Sequence, residues 1–191
     1  ACAALLIASE EITSSLFGYG SFDISSVKNS GKALFYFALG LPAFSLIKIF
    51  SSFIFARHDT KTPFIFSLIS VFLNIIISLY FFSKIGFIII PIATTISSWF
   101  NAIILLIFLI NKRYFSLKSN FFNKFLKIII STVLSTYIFY VLINYFAGNL
   151  SYESSNKLIT IILLVIITFI IYIVLSILTK AFKTSDIKLK Y

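Results

Sequence analysis

The chain has 191 residues, of which 60% are apolar and 12% charged, and its formal net charge at pH 7 is +10. Soluble domains average about 45–50% apolar and about 25% charged residues, so this composition excludes an ordinary water-soluble domain. The positive charge is typical of cytoplasmic membrane-protein loops, which argues against a nucleic-acid partner. With one cysteine, Cys2, and one histidine, His58, we expect no disulfide framework, no metal site and no cofactor.

Long apolar runs follow one another along the chain. A helical membrane span needs about 20 predominantly apolar residues, because the hydrocarbon layer is about 30 Å thick and a helix rises 1.5 Å per residue. Five segments qualify, at residues 33–56, 64–82, 87–110, 125–147 and 158–179. Residues 1–17 are interpreted as the second half of a truncated sixth span, since no basic region typical of a signal peptide precedes them. The runs are too long for barrel strands and do not alternate with period two, so the predicted fold class is an all-α integral membrane protein.

The connectors between these runs are polar. Gly18 is expected to stop the first helix, with a polar loop continuing to Gly31. A charged turn follows the next helix, and its Pro63 suits the first turn of the helix after it. Residues 111–124 are basic and aromatic, which predicts a cytoplasmic linker at the membrane interface.

Charge on the connectors predicts the orientation. Helices alternate in direction, so one set of connectors and ends lies on each side of the membrane. One set holds eleven basic residues, Arg57, Lys61, Lys112, Arg113, Lys118, Lys124, Lys127, Lys180, Lys183, Lys188 and Lys190, and the other holds four, Lys28, Lys32, Lys84 and Lys157. Lysine and arginine on short loops favour the cytoplasmic side, so we predict that the first set and the C-terminus are cytoplasmic.

Lys48 is the clearest anomaly within a predicted span. It lies nine residues before Arg57, which is about 13 Å along a helix from the cytoplasmic end. A charge at a helix centre costs roughly 2.5–3.5 kcal/mol on insertion scales, and such residues usually face a cavity or a partner. Ser45 and Ser52 share its helix face and extend a polar stripe. The alternative is that the long side chain extends its ammonium to the interface.

Further polar residues follow helical spacing on the other spans. Small and hydroxylated side chains usually pack membrane helices together, which is the simpler interpretation of most of them. Asn74 and Asn101 would cost most to leave unpaired, so these two are the candidates for lining a cavity or bridging helices. No nucleophile–base set, paired catalytic carboxylates or phosphate-binding glycine loop is present, and the chain is therefore not expected to be an enzyme.

Several motifs occur together between residues 17 and 102. They are Phe17-Gly18-Tyr19-Gly20-Ser21-Phe22, then Gly40-Leu41-Pro42-Ala43-Phe44 with Lys48, and then Ala56-Arg57-His58-Asp59-Thr60-Lys61-Thr62-Pro63. Weaker similarities are Leu73-Asn74 and Trp99-Phe100-Asn101-Ala102. In this combination and spacing the chain resembles the MurJ/MviN family. Lys48 matches a family position, and the loop motif residues are Arg57, Asp59, Thr60, Lys61 and Pro63.

The resemblance implies a fold and a function. The family belongs to the multidrug/oligosaccharidyl-lipid/polysaccharide exporter superfamily, with fourteen helices in two lobes around a central cavity. Its members flip lipid II, the undecaprenyl-pyrophosphate-linked peptidoglycan precursor, across the bacterial inner membrane. By this analogy the chain is part of the C-terminal lobe, with the end of helix nine to helix twelve in residues 1–110, a linker in 111–124, and two helices and a tail in 125–191. Its expected partners are lipid II, membrane lipid and a missing N-terminal lobe of the same chain.

Two other interpretations remain open. One is a sibling transporter of the same superfamily, either a polysaccharide-repeat flippase or a drug/cation antiporter; the loop motif at Arg57 to Pro63 favours the lipid II family instead. The other is a structural membrane subunit without transport activity, against which Lys48 and the polar stripes argue.

Overall fold

The computed structural model describes residues 1–114 and 119–181, with side chains throughout except at 119 and 120. These residues form helices joined by turns. In chain order the helices are α1 (Cys2–Ile7), α2 (Ser9–Phe17), α3 (Ile24–Phe55), α4 (Lys61–Ile85), α5 (Ile89–Asn111), α6 (Ser119–Tyr145) and α7 (Lys157–Leu178). A single 3-10 turn, Gly86–Ile88, joins α4 to α5. The predicted all-α fold class is confirmed.

Helices of membrane-spanning length occupy most of the described chain. Four continuous stretches are long and apolar enough to cross a membrane, namely Ile24–Phe55, Lys61–Asn111, Phe121–Tyr145 and Lys157–Leu178. The second is 51 residues long and would extend about 75 Å as one straight helix, more than twice the hydrocarbon thickness. Gly86, with φ at +73°, turns the chain there, and α4 packs against α5. This stretch is therefore two spans, and the five predicted spans are present.

The predicted loop from Gly18 to Gly31 is wrong in its second half. Asp23 Oδ1 accepts a hydrogen bond from the Ser26 backbone N–H at 2.8 Å, and α3 begins at Ile24 under this cap. Gly31 therefore lies inside α3, where a Cβ atom would approach the Cα atom of Glu10 to 3.0 Å. Gly31 is a close-packing position and not a loop residue.

The first predicted run, residues 1–17, is also not one helix. Ala8 has φ −112° and ψ 25°, outside helical geometry, and separates α1 from α2. Its side chain is fully buried in a core cluster. The break between α1 and α2 therefore lies at a small, fully buried side chain.

The chain forms two compact units. The first contains residues 3–31 together with α6 and α7, and in it α6 and α2 both pack against α7. Its core is made of Ala8, Phe139, Ile143, Leu150, Ile161 and Leu164. A hydroxyl pair, Ser131 Oγ and Thr179 Oγ1 at 3.0 Å, joins α6 to the end of α7.

The second unit contains Cys2 and residues 32–114, and within it α4 and α5 pack closely. Its core cluster is Phe50, Ile54, Leu105 and Leu109. The sequence-based division at residues 110 and 124 refers to the helices of the family and stays a prediction.

Large apolar side chains cover the outer surface of the helices. Phe72 is 63% exposed, Leu79 74% and Leu178 70%, and many other isoleucine and phenylalanine side chains are similarly exposed. Exposure of so much contiguous apolar surface to water would be unfavourable, so these side chains are suited to contact with lipid. The chain is a multi-pass membrane protein.

Candidate functional site

Lys48 lies on an exposed face of α3, in the second unit. It lines an open groove of about 450 Å³ together with Ile49, Ser52, Phe53 and Ala56. Ser45, one turn earlier, does not line this groove. The polar stripe predicted from the sequence thus exists as a helix face, with Lys48 and Ser52 sharing one depression on it.

The two serines of this stripe bond to the helix itself. Ser45 Oγ donates to the Leu41 carbonyl at 3.1 Å, and Ser52 Oγ donates to the Lys48 carbonyl at 2.8 Å. Their donors are therefore used locally, and only their oxygen lone pairs remain for a ligand. Within the described ranges, no protein group forms an ion pair with the Lys48 ammonium.

The part of α3 before Lys48 contains a proline. Pro42 has no N–H, so the Ala38 carbonyl lacks its usual helical donor. The Cys2 thiol, which belongs to the same unit, donates to that carbonyl at 3.0 Å. Gly40 and Pro42 therefore do not end α3, because the helix continues through both residues and a side-chain donor replaces the lost bond.

Helix α5 attaches to the same part of α3. Thr95 Oγ1 donates to the Tyr36 carbonyl at 2.7 Å, and Trp99 Nε1 donates to the Leu39 carbonyl at 3.1 Å. Gly40 permits this approach, since a Cβ atom there would lie 3.0 Å from Thr95 Oγ1. These contacts fix α3 against α5 about two to three turns before Lys48.

Asn74 bridges α4 and α5. Its Nδ2 donates to Thr94 Oγ1 at 3.1 Å and to Ser97 Oγ at 3.3 Å, and its Oδ1 accepts from Ser78 Oγ at 3.2 Å. The amide is thus fully engaged in a hydrogen-bonded network between the two helices, as the sequence interpretation of helix bridging proposed.

Asn101 lies further along the same pair of helices. Its Nδ2 donates to Ser67 Oγ at 3.4 Å, while its buried Oδ1 has no partner within the described part of the chain. Asn74 and Asn101 both line one groove of about 510 Å³, with Ser67, Ser70 and Ser98 among its polar walls. The two asparagines therefore share a groove, whereas Lys48 lines a different one.

The residues of the loop motif hold the turn between α3 and α4. Asp59 accepts from the Thr62 backbone N–H at 3.0 Å and from the Thr62 hydroxyl at 2.6 Å, which caps the start of α4. These bonds, the hydroxyl first, hold the pKa of the Asp59 carboxyl below its usual range. Pro63 is buried in the first turn of α4, and Thr60 and Lys61 are exposed.

Arg57 lies in the turn directly after α3. Its Nη1 donates to the Phe53 carbonyl at 3.0 Å, and its guanidinium lies over the ring of Tyr114, 4.1 Å from the centroid. His58 adopts φ +60°, so the chain reverses there. The motif thus carries an architectural function in this structure: it closes α3 and starts α4.

Lys157, in the first unit, was missed by the sequence analysis, which counted it only as a loop charge. It is the first residue of α7 and only 1% exposed. A lysine directly before an apolar run resembles an ordinary helix-flanking charge, so only the neighbouring tyrosines Tyr19 and Tyr152 could have indicated a buried cation. Among the described residues, no group of histidine, cysteine and acidic side chains has the arrangement of a metal site.

Comparison with known families gives a match over most of the chain. The family model described as "Lipid II flippase MurJ" matches residues 1–161. The chain belongs to the MurJ family. It is a multi-pass inner-membrane protein of that family, and the predicted resemblance is confirmed.

Individual MurJ relatives agree with this assignment. A probable lipid II flippase MurJ from Rhizobium meliloti is 35% identical over 79% of this chain and 28% of its own length. One from Thermotoga maritima is 30% identical over 96% of this chain and 35% of its own length. The chain therefore spans about a third of the length of the MurJ relatives that it matches.

A solved MurJ structure shares the fold. It is described as lipid II flippase MurJ in an inward closed conformation, and it aligns with a TM-score of 0.73 over 94% of this chain and 35% of its own. The sequence identity in that alignment is 24%, so the likeness establishes the fold alone.

Proposed function

We propose that this chain forms part of the C-terminal lobe of a lipid II flippase and acts with the rest of a longer protein. The observation that carries the proposal is the family match over residues 1–161, together with relatives named as lipid II flippases. The coverage of about a third of those relatives supports a second lobe elsewhere in the full-length protein. No enzymatic step is required.

The chemistry of the substrate fits such a role. Lipid II carries an anionic pyrophosphate and a large polar headgroup on an isoprenoid tail, and passing that head through lipid unaided would bury unpaired charge at high cost. A cavity between two lobes supplies cations and hydrogen bonds, and rocking of the lobes opens it to each side in turn. We propose that Lys48, Ser45 and Ser52 on α3, and Asn74 and Asn101 between α4 and α5, contribute to this path.

Two features of the described residues support these assignments. The Lys48 ammonium has no ion-pair partner within them, so it remains available for an anion. The buried Oδ1 of Asn101 is an unused acceptor beside a groove of about 510 Å³. A buried acceptor without a donor is costly, so a donor group of the substrate or a water would be favoured there.

The proposed function is tested by depletion of the native flippase in a bacterium whose growth depends on it. The full-length protein that contains this chain should restore growth and accumulate at normal membrane abundance. The 191-residue chain alone should not restore growth, because one lobe does not enclose a cavity. Failure of the full-length protein at normal abundance, with export of a polysaccharide repeat or a drug instead, would support a sibling transporter. Failure without any transport would support a structural subunit.

The proposed orientation places the turn at Arg57 and the C-terminus in the cytoplasm. It rests on the eleven basic residues on that set of connectors against four on the other. Reporter fusions after Tyr191 and within residues 148–156 should give cytoplasmic and periplasmic signals respectively. The reverse pattern would contradict the orientation.

A further inference from the structure

Lys157 is the one charged side chain that is buried in the described part of the chain, with 1% of its surface exposed. It occupies the first position of α7. The positive end of a helix dipole disfavours a cation there, and a buried ammonium is costly unless its protons are bonded. A lysine at this position therefore needs strong compensating contacts.

Those contacts come from backbone carbonyls and aromatic rings. Lys157 Nζ donates to the Gly18 carbonyl at 2.6 Å and to the Tyr152 carbonyl at 2.8 Å. It also lies 4.2 Å from the ring centroid of Tyr19 and 4.7 Å from that of Tyr152. Two of the three ammonium protons thus reach carbonyls and the third is left to the rings. Both hydrogen-bond acceptors are neutral, so the contact is not a salt bridge.

The rings are themselves anchored. Tyr19 Oη donates to the Ser15 carbonyl near the end of α2 at 3.0 Å, and Tyr152 Oη donates to the Phe22 carbonyl just before α3 at 2.7 Å. Gly18 closes α2 in a turn so tight that a Cβ atom would lie 2.5 Å from the Ser14 carbonyl oxygen. The position of the Gly18 carbonyl is therefore fixed before the ammonium reaches it.

These contacts join segments that are far apart in sequence. The ammonium links α7 to a residue 139 positions earlier, and the Tyr152 hydroxyl reaches 130 positions back. The end of α2, the loop after α6 and the start of α7 meet around the Lys157 nitrogen, and the Tyr152 hydroxyl adds the segment before α3. We call Gly18, Tyr19, Tyr152 and Lys157 the Lys157 clamp.

We propose that Lys157 is a positioning residue that ties α2, α7 and their two adjoining loops into one rigid block, so that they move together during transport. The motion rests on the proposed flippase function, since alternating access by rocking requires parts that keep their internal geometry. Lys157 acts through Gly18 and Tyr152 and not through contact with substrate.

Hydrogen–deuterium exchange of the full-length protein that contains this chain, in lipid nanodiscs, tests the clamp without any transport assay. Lys157→Met keeps the length of the side chain but removes its donors, and it should raise the exchange of residues 18–22 and 149–156 about tenfold, because two carbonyls lose charged donors. The matched control, Lys28→Met, removes an exposed lysine and should leave these peptides unchanged. Unchanged exchange in Lys157→Met would overturn the proposal.

A second pair of variants covers the case in which Lys157→Met does not fold. Tyr19→Phe and Tyr152→Phe remove the hydroxyl anchors and keep both the ammonium and the rings. Each should increase exchange in its own loop, and the double variant should increase exchange in both. Equal exchange in the double variant and in the unmodified chain would contradict the joint role of these contacts.

The rate of lipid II transport by the full-length protein then distinguishes a positioning role of Lys157 from an effect on stability alone. Lys157→Met should flip lipid II several-fold more slowly at equal folded abundance. In a background without other cysteines, adding Tyr19→Cys and Tyr152→Cys to Lys157→Met and joining them with a short bifunctional thiol reagent should restore most of the rate. A confirmed cross-link that does not restore the transport rate would overturn the proposed role of the Lys157 clamp. If the unmodified full-length protein does not flip lipid II, the proposed function fails, and the exchange experiment alone decides on the clamp.

Discussion

The guanidinium of Arg57 lies over the ring of Tyr114, with Cζ 4.1 Å from the ring centroid. The same side chain donates to the Phe53 carbonyl at 3.0 Å. Arg57 therefore bonds to the last turn of α3 and contacts the segment that follows α5. A planar guanidinium can make both contacts at once, which a lysine ammonium cannot do as well.

A double-mutant cycle measures this contact. Arg57→Ala and Tyr114→Ala should show a coupling of about 0.5–1 kcal/mol in thermal unfolding, the range for an exposed cation–π pair. Lys61→Ala combined with Tyr114→Ala serves as the control pair and should show none. Zero coupling between Arg57 and Tyr114 would mean that their proximity does not stabilise the turn.

The stabilisation that Asp59 gives to the start of α4 should depend on pH. The Thr62 hydroxyl and backbone N–H lower the pKa of Asp59 in the folded chain relative to an unfolded value of about 3.9. The stabilisation from the carboxylate is therefore fully present above that value and is lost as the pH falls through the lower folded pKa. Asp59→Ala should increase amide exchange in the first turn of α4 at neutral pH, and the difference from the unmodified chain should shrink in strong acid. Glu153→Ala, in another loop, should leave α4 unchanged, and a pH-independent difference for Asp59→Ala would contradict the account.

The close approach of α3 to α5 should tolerate no side chain at Gly40. A Cβ atom there would lie 3.0 Å from Thr95 Oγ1, which is held by its bond to the Tyr36 carbonyl. Gly40→Ala should destabilise the chain by about 1–3 kcal/mol, the usual cost of overpacking. Gly148→Ala is the matched control, because no atom lies within 4 Å of a Cβ there. Equal stability of the two variants would contradict this prediction, since Thr95 would then move away from the added methyl group without cost.

The sequence predicted the spans well because the membrane imposes both their length and their composition. It placed the start of α3 too late, since a polar segment after Asp23 looks like a loop until the aspartate is recognised as a helix cap. The paired asparagines were predicted to bridge helices or line a cavity, and Asn74 bridges α4 and α5, because an amide in lipid must find partners.

Sequence patterns could not predict the long-range contacts. Thr95 and Trp99 reach carbonyls 59 and 60 residues away, and Lys157 reaches one 139 residues away. Backbone carbonyls carry no sequence signature, so a side chain that bonds only to them cannot be assigned a partner from the sequence. The two serines beside Lys48 were expected to extend a polar stripe, but their hydroxyl protons bond to their own helix.

We propose that this chain is part of the C-terminal lobe of a lipid II flippase and that Lys48 contributes to the substrate path. The most direct measurement is lipid II translocation by the full-length protein in proteoliposomes, with equal amounts of folded protein for each variant. The unmodified protein and Lys84→Ala, which removes an exposed lysine near a helix end, should flip lipid II at similar rates. Lys48→Ala should flip it much more slowly, and Lys48→Arg should recover the rate only in part, because a guanidinium does not replace a compact ammonium. No translocation by the unmodified protein would contradict the flippase assignment, and a normal rate for Lys48→Ala would contradict the role of Lys48.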